Sequence, residues 1–397
     1  MGVLRWWGGE VKSFDERKLT IKLQTLTPLW TGAADRSCES LKLTGLLGSL
    51  RWWFEVLVRG MEYYACDSTS ENKCKNEIKH PEDLYRFPNQ VCPACFLFGA
   101  TGWRKRFTVT LNSSFIRPYS DKIKVKIGEK SKEWHYYPGL IGTATLTFYF
   151  KSYEPFNEYL KSTLKILLTL IQNYGMLGAK TALGYGVVSF IDLYSSNLQD
   201  DWNKFNSFLN CFKNFKHKNN DKVIPTLNDM FFAKFKITNN DIATSLNKIE
   251  KFFETDTQSD LNALKNSNWI FISPFVRKKI RKIFNKKEER HFLMGKVSRD
   301  YTTFSAIQVS HGYINPESED LEFKINGWLP EEIPYKRQRI DRDNALEHLS
   351  QAFLNPPWNM YIPSEIKQWG TWKNNELSLV NNNINKLLVG ETEKNEL

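Results

Sequence analysis

Lys18-Leu-Thr-Ile-Lys-Leu-Gln-Thr-Leu26 alternates apolar and polar side chains, the pattern of a strand with one buried face. Thr27-Pro28 ends it, and Thr31-Gly-Ala-Ala-Asp-Arg36 reads as a loop. Leu46, Leu47, Leu50, Trp53, Phe54, Leu57 and Val58 then recur at helical spacing, predicting a helix over 44–59 stopped by Gly60. Beyond a polar, cysteine-bearing insertion over 62–98, Phe107–Leu111 and Thr143–Phe150 read as strands around a charged hairpin at 118–137. Leu160, Leu164, Leu167, Leu168 and Ile171 predict a second helix over 155–174, and Gly186–Leu193 a fourth strand. The order β-α-β-β-α-β is that of a ferredoxin-like unit, which is also the RNA-recognition-motif architecture.

The same reading continues past an Asn- and Lys-rich connector at 196–228, which holds an amphipathic stretch from Trp202 to Phe215. A strand at 231–237, a helix near 241–253, strands near 268–275, 304–312 and 321–328, and a helix near 341–354 suggest a second, looser unit of the same kind. The expectation is an α+β protein of tandem ferredoxin-like domains, 1–195 and 229–397. Its 397 residues suit two domains, and 41% hydrophobic content excludes a largely disordered chain. No apolar run approaches the ~20 residues of a membrane span, and Met1–Glu10 lacks the apolar core of a secretory signal. These features predict a cytoplasmic protein.

Charge and cysteines point to ligands. With 55 basic and 44 acidic residues the formal charge is +11. Residues 101–150 hold 9 basic and 3 acidic side chains and residues 251–300 hold 12 and 6, so each segment is +6. Two local surpluses suggest a polyanion footprint, or else solvated loops. Trp103-Arg-Lys-Arg106 offers phosphate-holding cations, Arg104, Lys105 and Arg106, beside an aromatic face for a base. The run from Val276 to Arg290 reads equally as a phosphate grip or as a mobile loop. Cys66, Cys74, Cys92 and Cys95 fall in one short polar segment. A Cys-x2-Cys pair completed by two further thiols suits one structural zinc ion, with His80 able to replace a cysteine.

Leu177-Gly-Ala-Lys-Thr-Ala-Leu-Gly-Tyr-Gly186 follows a helix and precedes a strand, so it is neither a P-loop nor a dinucleotide fingerprint. It is an anion-binding turn or a structural connector; in the first case Gly178, Lys180 and Thr181 hold phosphate and Tyr185 stacks on a base. Arg51, placed in the second turn of the first helix, is expected to share that phosphate site; the competing expectation is a pair with Glu55. The six histidines form no spaced pair; Asp35 is one candidate general base or metal ligand, against the reading of a turn residue or helix-entry cap.

Together these stretches resemble a known family. Pro28-Leu-Trp-Thr-Gly-Ala33, Leu46-Leu-Gly-Ser-Leu-Arg-Trp-Trp-Phe54, Cys92-Pro-Ala-Cys-Phe-Leu-Phe-Gly-Ala-Thr101 and Gly178–Gly186 are similar to motifs of the RAMP superfamily of CRISPR proteins. The Leu-Arg-Trp-Trp-Phe run is most similar to subunit one of the Cmr (type III-B) effector complex. The resemblance implies a non-catalytic subunit that binds guide RNA near its 3′ end, or target RNA, beside other RAMP subunits, with cutting assigned elsewhere. The rival expectations are a guide-processing endoribonuclease and a protein–protein scaffold.

Overall fold

The computed structural model describes residues 17–372, apart from 34–36, 72, 76–90, 121, 128–132, 152–155, 192, 194–197, 216–222, 239–244, 246, 250–251, 255–263, 265–266, 298–301 and 334–339. Asp35, His80 and most of the helix expected near 241–253 lie outside the described residues.

The alternating N-terminal segment forms β1 (Lys18–Thr25), with Ile21 and Leu23 facing the core. The helix that follows, α1 (Leu43–Gly60), turns Leu46, Leu50, Trp53, Phe54 and Leu57 inward. After it come the short α2 (Pro93–Phe98), β2 (Phe107–Ile116) and β3 (Ile141–Phe150). The unit closes with α3 (Phe156–Tyr174) and β4 (Val188–Ile191). The sheet order is β2-β3-β1-β4 and every pair is antiparallel. This is the ferredoxin-like order, with the first strand in the interior of the sheet and both edges taken by strands two and four. The charged hairpin is two short strands, 123–125 and 134–136, joined by 253–254 from the second half. Within the connector, α4 (Leu198–Asn210) packs on α3, where Ser162 donates to Asp201 at 2.6 Å.

The second half repeats the plan. β5 (Met230–Ile237) is central, β6 (Trp269–Ile270) is an added edge, and a broken strand comprises β7 (Ile307–Val309) and β8 (Gly312–Ile314). β9 (Leu321–Trp328) and β10 (Ser364–Thr371) flank β5, giving the order β10-β5-β9-β8-β6 with β7 also on β9. Two departures from expectation stand out. The strand expected over 268–275 stops at Ile270, because Ser273-Pro274 opens α5 (Ser273–Arg281); proline suits a first turn. The basic run is therefore α5 and α6 (Lys287–Met294), not a mobile loop. Lys278, Lys279 and Arg281 sit in the last turn of α5, where cations oppose the helix dipole. The helix at the end, α7 (Arg342–Leu354), starts where Asp341 accepts from the Asn344 amide at 3.1 Å.

The two faces of the second sheet differ. Phe235 stacks on Phe323 at 4.8 Å and meets Phe353 of α7 and Trp358. The opposite face carries Lys234, paired across the strands with Lys324 and Gln368, and this polar face meets the end of α3. Lys324 Nζ donates to the Gln172 carbonyl and Asn326 Nδ2 to the Tyr174 carbonyl, both at 2.9 Å. An ammonium thus meets the negative end of a helix. Among the described residues no helix is long and apolar enough to cross a membrane.

Candidate metal centre and nucleic-acid interface

The chain leaving α1 brings in Cys66 and Cys74, and the first turn of α2 brings Cys92 and Cys95; all four are buried and free. Their sulfurs lie within 4.8 Å of one another, with Cys66 and Cys95 at 3.3 Å and Cys66 and Cys92 at 3.9 Å. A tetrahedral ion bound about 2.3 Å from each sulfur would space them at about 3.8 Å, so the cluster fits one metal ion. The Cys92 amide points at Cys74 Sγ (3.4 Å) and the Cys95 amide at Cys92 Sγ (3.5 Å), both suited to thiolate acceptors.

Arg51 belongs to this centre. Its Nη2 donates to Cys95 Sγ at 3.1 Å, Nη1 to the Gly99 carbonyl at 2.6 Å, and Nε to Glu55 Oε1 at 2.8 Å. Two helical turns on, Arg59 donates to the carbonyls of Ala65 (2.9 Å), Cys66 (3.0 Å) and Pro225 (2.8 Å). Burial pushes the Glu55 carboxyl up, against the pull of Arg51 and Arg59. The expected phosphate site shared by Arg51 and Lys180 does not form. Arg51 is eight residues past Leu43, about 12 Å from the first residue of α1 at 1.5 Å per residue, and points to α2.

The start of α1 and the glycine segment do converge. The Ala179 amide donates to the Trp30 carbonyl at 2.7 Å, and the Gly178 amide to Ser49 Oγ of α1 at 3.1 Å. Gly178 has φ +81°, and a Cβ there would stand 2.4 Å from the Trp30 carbonyl oxygen, so no larger residue fits. The Lys42 amide, preceding α1, donates to Thr31 Oγ1 at 2.9 Å, and no side chain caps the helix. Together these segments enclose a cavity of about 340 Å³. Thr31 and Gly32 line it from the first loop, Gly45, Ser49 and Trp52 from α1, and Gly178, Ala179 and Thr181 from the glycine segment. Gln308 reaches it from the second half. An uncapped helix start beside small residues and hydroxyls is suited to a phosphate or sugar.

The family model of the RAMP superfamily matches residues 22–189, the span that holds the four cysteines and all of the cavity lining but Gln308. Residues 22–189 are thus similar to a RAMP-superfamily domain. No protein of curated function matches the chain in sequence. Among solved structures, the apo crystal structure of Cmr1 from Pyrococcus furiosus aligns with TM-score 0.42 and 12% identity, over 88% of this chain and 98% of that one. A chain in the cryo-EM structure of the type III-B Cmr-beta complex bound to cognate target RNA and AMPPnP aligns with TM-score 0.38 and 14% identity, over 84% and 98%. A chain of a type IV-B CRISPR complex aligns with TM-score 0.30 and 13% identity, over 44% and 89%.

Within this matched span the other expected RNA contacts divide. Gly178 and Thr181 line the cavity. Lys180, at φ 58°, folds its ammonium 3.2 Å above the Trp30 ring and 4.8 Å from Tyr137; burial pulls its pKa down to about 8. Tyr185 is fully buried, donates to the Tyr137 carbonyl and offers no face to a base. Trp103 is buried too, its Nε1 donating to the Phe96 carbonyl at 3.1 Å. The Arg106 guanidinium lies over Trp103 (4.1 Å) and Phe96 (4.8 Å), so it holds α2 to β2. Lys105 is half-buried and Arg104 exposed. Ser49, Trp52 and Gln308 escaped the sequence reading. Ser49 and Trp52 lie inside a helical pattern read for its apolar face, and Gln308 is brought in by the second half.

Proposed function

We propose that the chain is a non-catalytic, RNA-holding subunit of a type III-B (Cmr) CRISPR effector complex, seated among other RAMP subunits in the cytoplasm. It would hold guide RNA near its 3′ end, or the target RNA paired to it. The observation that carries this reading is the cavity where the start of α1 meets the glycine segment of a RAMP-superfamily domain. Its lining of glycine backbone, hydroxyls, an amide and an indole suits binding a sugar-phosphate strand of any sequence, and these groups move no protons near neutral pH. The Arg51-Trp52-Trp53 run supports the assignment to subunit one. The four cysteines are proposed to hold one structural zinc ion, with Arg51 beside the thiolates. When bound, the ion would supply folding energy to residues 62–98, whose middle stretch, 67–83, is almost entirely polar.

Ala179 is exposed at the cavity, so Ala179→Glu places a carboxylate against the strand without disturbing the core. Anisotropy with single-stranded RNA should show affinity falling more than about tenfold, and Thr181→Ala a loss of about three- to tenfold. Unchanged affinity in Ala179→Glu would remove the cavity from the reading. The RNA should be recovered intact; cleavage would favour the guide-processing endoribonuclease.

A further inference from the structure

A second cavity, of about 220 Å³, lies on the seam between the two ferredoxin-like halves. The apolar trio Met176, Val187 and Tyr313 sits between it and the first cavity, contributing Met176 to the one and Val187 and Tyr313 to the other. The second sheet sends Lys234 into it from the middle of β5. Among the described residues Lys234 Nζ has no hydrogen bond and no ion pair, and neither has the hydroxyl of buried Tyr313. Asn173, nine-tenths buried at the end of α3, leaves its Nδ2 without a partner. Three residues whose donors have nothing to donate to therefore line one space, an arrangement that costs stability unless a ligand completes it.

The charges agree. Lys234 stands directly across the strands from Lys324, whose side chain is almost wholly buried, and like charges so placed repel. Of the carboxylates at the cavity, Glu322 is committed: Oε1 to Lys367 Nζ at 2.6 Å and Oε2 to Asn315 Nδ2 at 3.1 Å. Glu317 is exposed at the rim. Asp320, just outside, is held by Lys236 (2.8 Å) and Lys367 (3.0 Å). Lys234 feels Glu322 and Glu317 at longer range but makes no ion pair of its own among the described residues.

We propose that the seam cavity binds one phosphate group, a monoester or diester, through Lys234, Tyr313 and Asn173. An oxyanion satisfies an ammonium, a phenol and an amide together and relieves the Lys234–Lys324 repulsion. The phosphate belongs either to a free mononucleotide or to an RNA backbone crossing the seam, and the site goes beyond the RNA contact proposed for the first cavity.

Calorimetric titration of the full chain with inorganic phosphate and with uridine monophosphate, beside anisotropy with single-stranded RNA, tests this. Lys234→Met should weaken phosphate and uridine monophosphate by roughly 10- to 100-fold, and Tyr313→Phe by about three- to tenfold. Ala179→Glu, at the other cavity, should leave both titrations unchanged, so failure of the RNA reading and failure of this one are separable. If the small anions do not bind but Lys234→Met lowers the RNA salt slope by about 0.7, the phosphate comes from the backbone. Were Lys234→Met not to fold, Tyr313→Phe, which removes one hydroxyl, carries the same test. Wild-type protein that takes up neither small anion, with an RNA salt slope untouched by either variant, overturns the site.

Discussion

At the scale of single residues, two side chains do what their type did not announce. Arg51 looks like a phosphate ligand in sequence, because a guanidinium fork matches an oxyanion, yet its three nitrogens donate to Glu55, Gly99 and Cys95. Four thiolates around a divalent ion carry a net charge of about −2, which a planar cation with several donors offsets while also bracing α2. Arg51→Lys keeps the charge but loses the fork, and should lower metal affinity by about 10- to 100-fold in a chelator competition. Single-stranded RNA affinity of the metal-loaded variant should match wild type; a selective loss of RNA affinity would return Arg51 to the RNA interface. His311 is the second case. It is fully buried against Tyr136, Tyr185, Trp269 and Phe271, its Nδ1 facing the Ser273 amide at 3.4 Å. Burial pulls its pKa down to about 3, from an ordinary value near 6.5. Folding therefore favours the neutral ring, and its contribution is whole above pH 6.5 and is lost as pH falls toward 3. At pH 5 the cost is about 2 kcal/mol. His311→Phe should accordingly lose less stability than wild type between pH 7 and 5 in paired urea titrations; equal losses would show that the ring does not titrate there.

At the scale of elements, the two helices of the first half were legible because their buried faces repeat at 3.6 residues, and α1 and α3 lie within a residue or so of expectation. β10 was not read as a strand. Its Ser-Glu-Ile-Lys-Gln-Trp-Gly-Thr sequence is interrupted by a bulge at Ile366/Gln368 and is partly wet on both faces, so the period-2 signal is lost. The basic run, open between a phosphate grip and a mobile loop, hid its helices for the opposite reason: eight cations mask an apolar stripe of Phe275, Val276 and Ile280 that buries α5. In the cysteine segment sequence gave the donor set, whereas only the fold shows the sulfurs gathered beneath α1. Here the element itself is the test. Zinc analysis of protein purified without chelator should give about one ion per chain. Replacing Cys92 and Cys95 by serine should abolish that zinc, expose 62–98 to protease and lower the melting midpoint by at least about 5 °C. A metal-free wild-type protein with the same midpoint and protease resistance would remove the zinc.

At the scale of the whole molecule, two local +6 surpluses suggested a polyanion footprint, and the fold redistributes their charge. Much of the second basic segment is spent internally. Arg277 is buried and donates to the carbonyls of Ile307 (2.9 Å) and Met294 (2.8 Å). Lys278 donates to the Ile127 carbonyl, and Arg281 to that of Gly295 at 3.2 Å. These contacts join the segment to the hairpin of the first half and to its own neighbours, so its cations work as cement between units. Sequence composition counts charge but not direction, which is why the surplus was legible and its use was not. In the first segment Arg106 is stacked between rings while Arg104 is exposed. RNA binding should then be less salt-dependent than two clusters of net +6 imply. Each phosphate neutralised on a single strand contributes a slope of about −0.7 in log affinity against log salt. Arg104→Ala should reduce the slope by at most one such step and leave the melting midpoint unchanged. Arg106→Ala should lower the midpoint, since it removes the packing of α2 on β2, and leave the slope as it was. A slope that drops with Arg106→Ala at an unchanged midpoint would mean that this guanidinium leaves its two rings to meet the RNA.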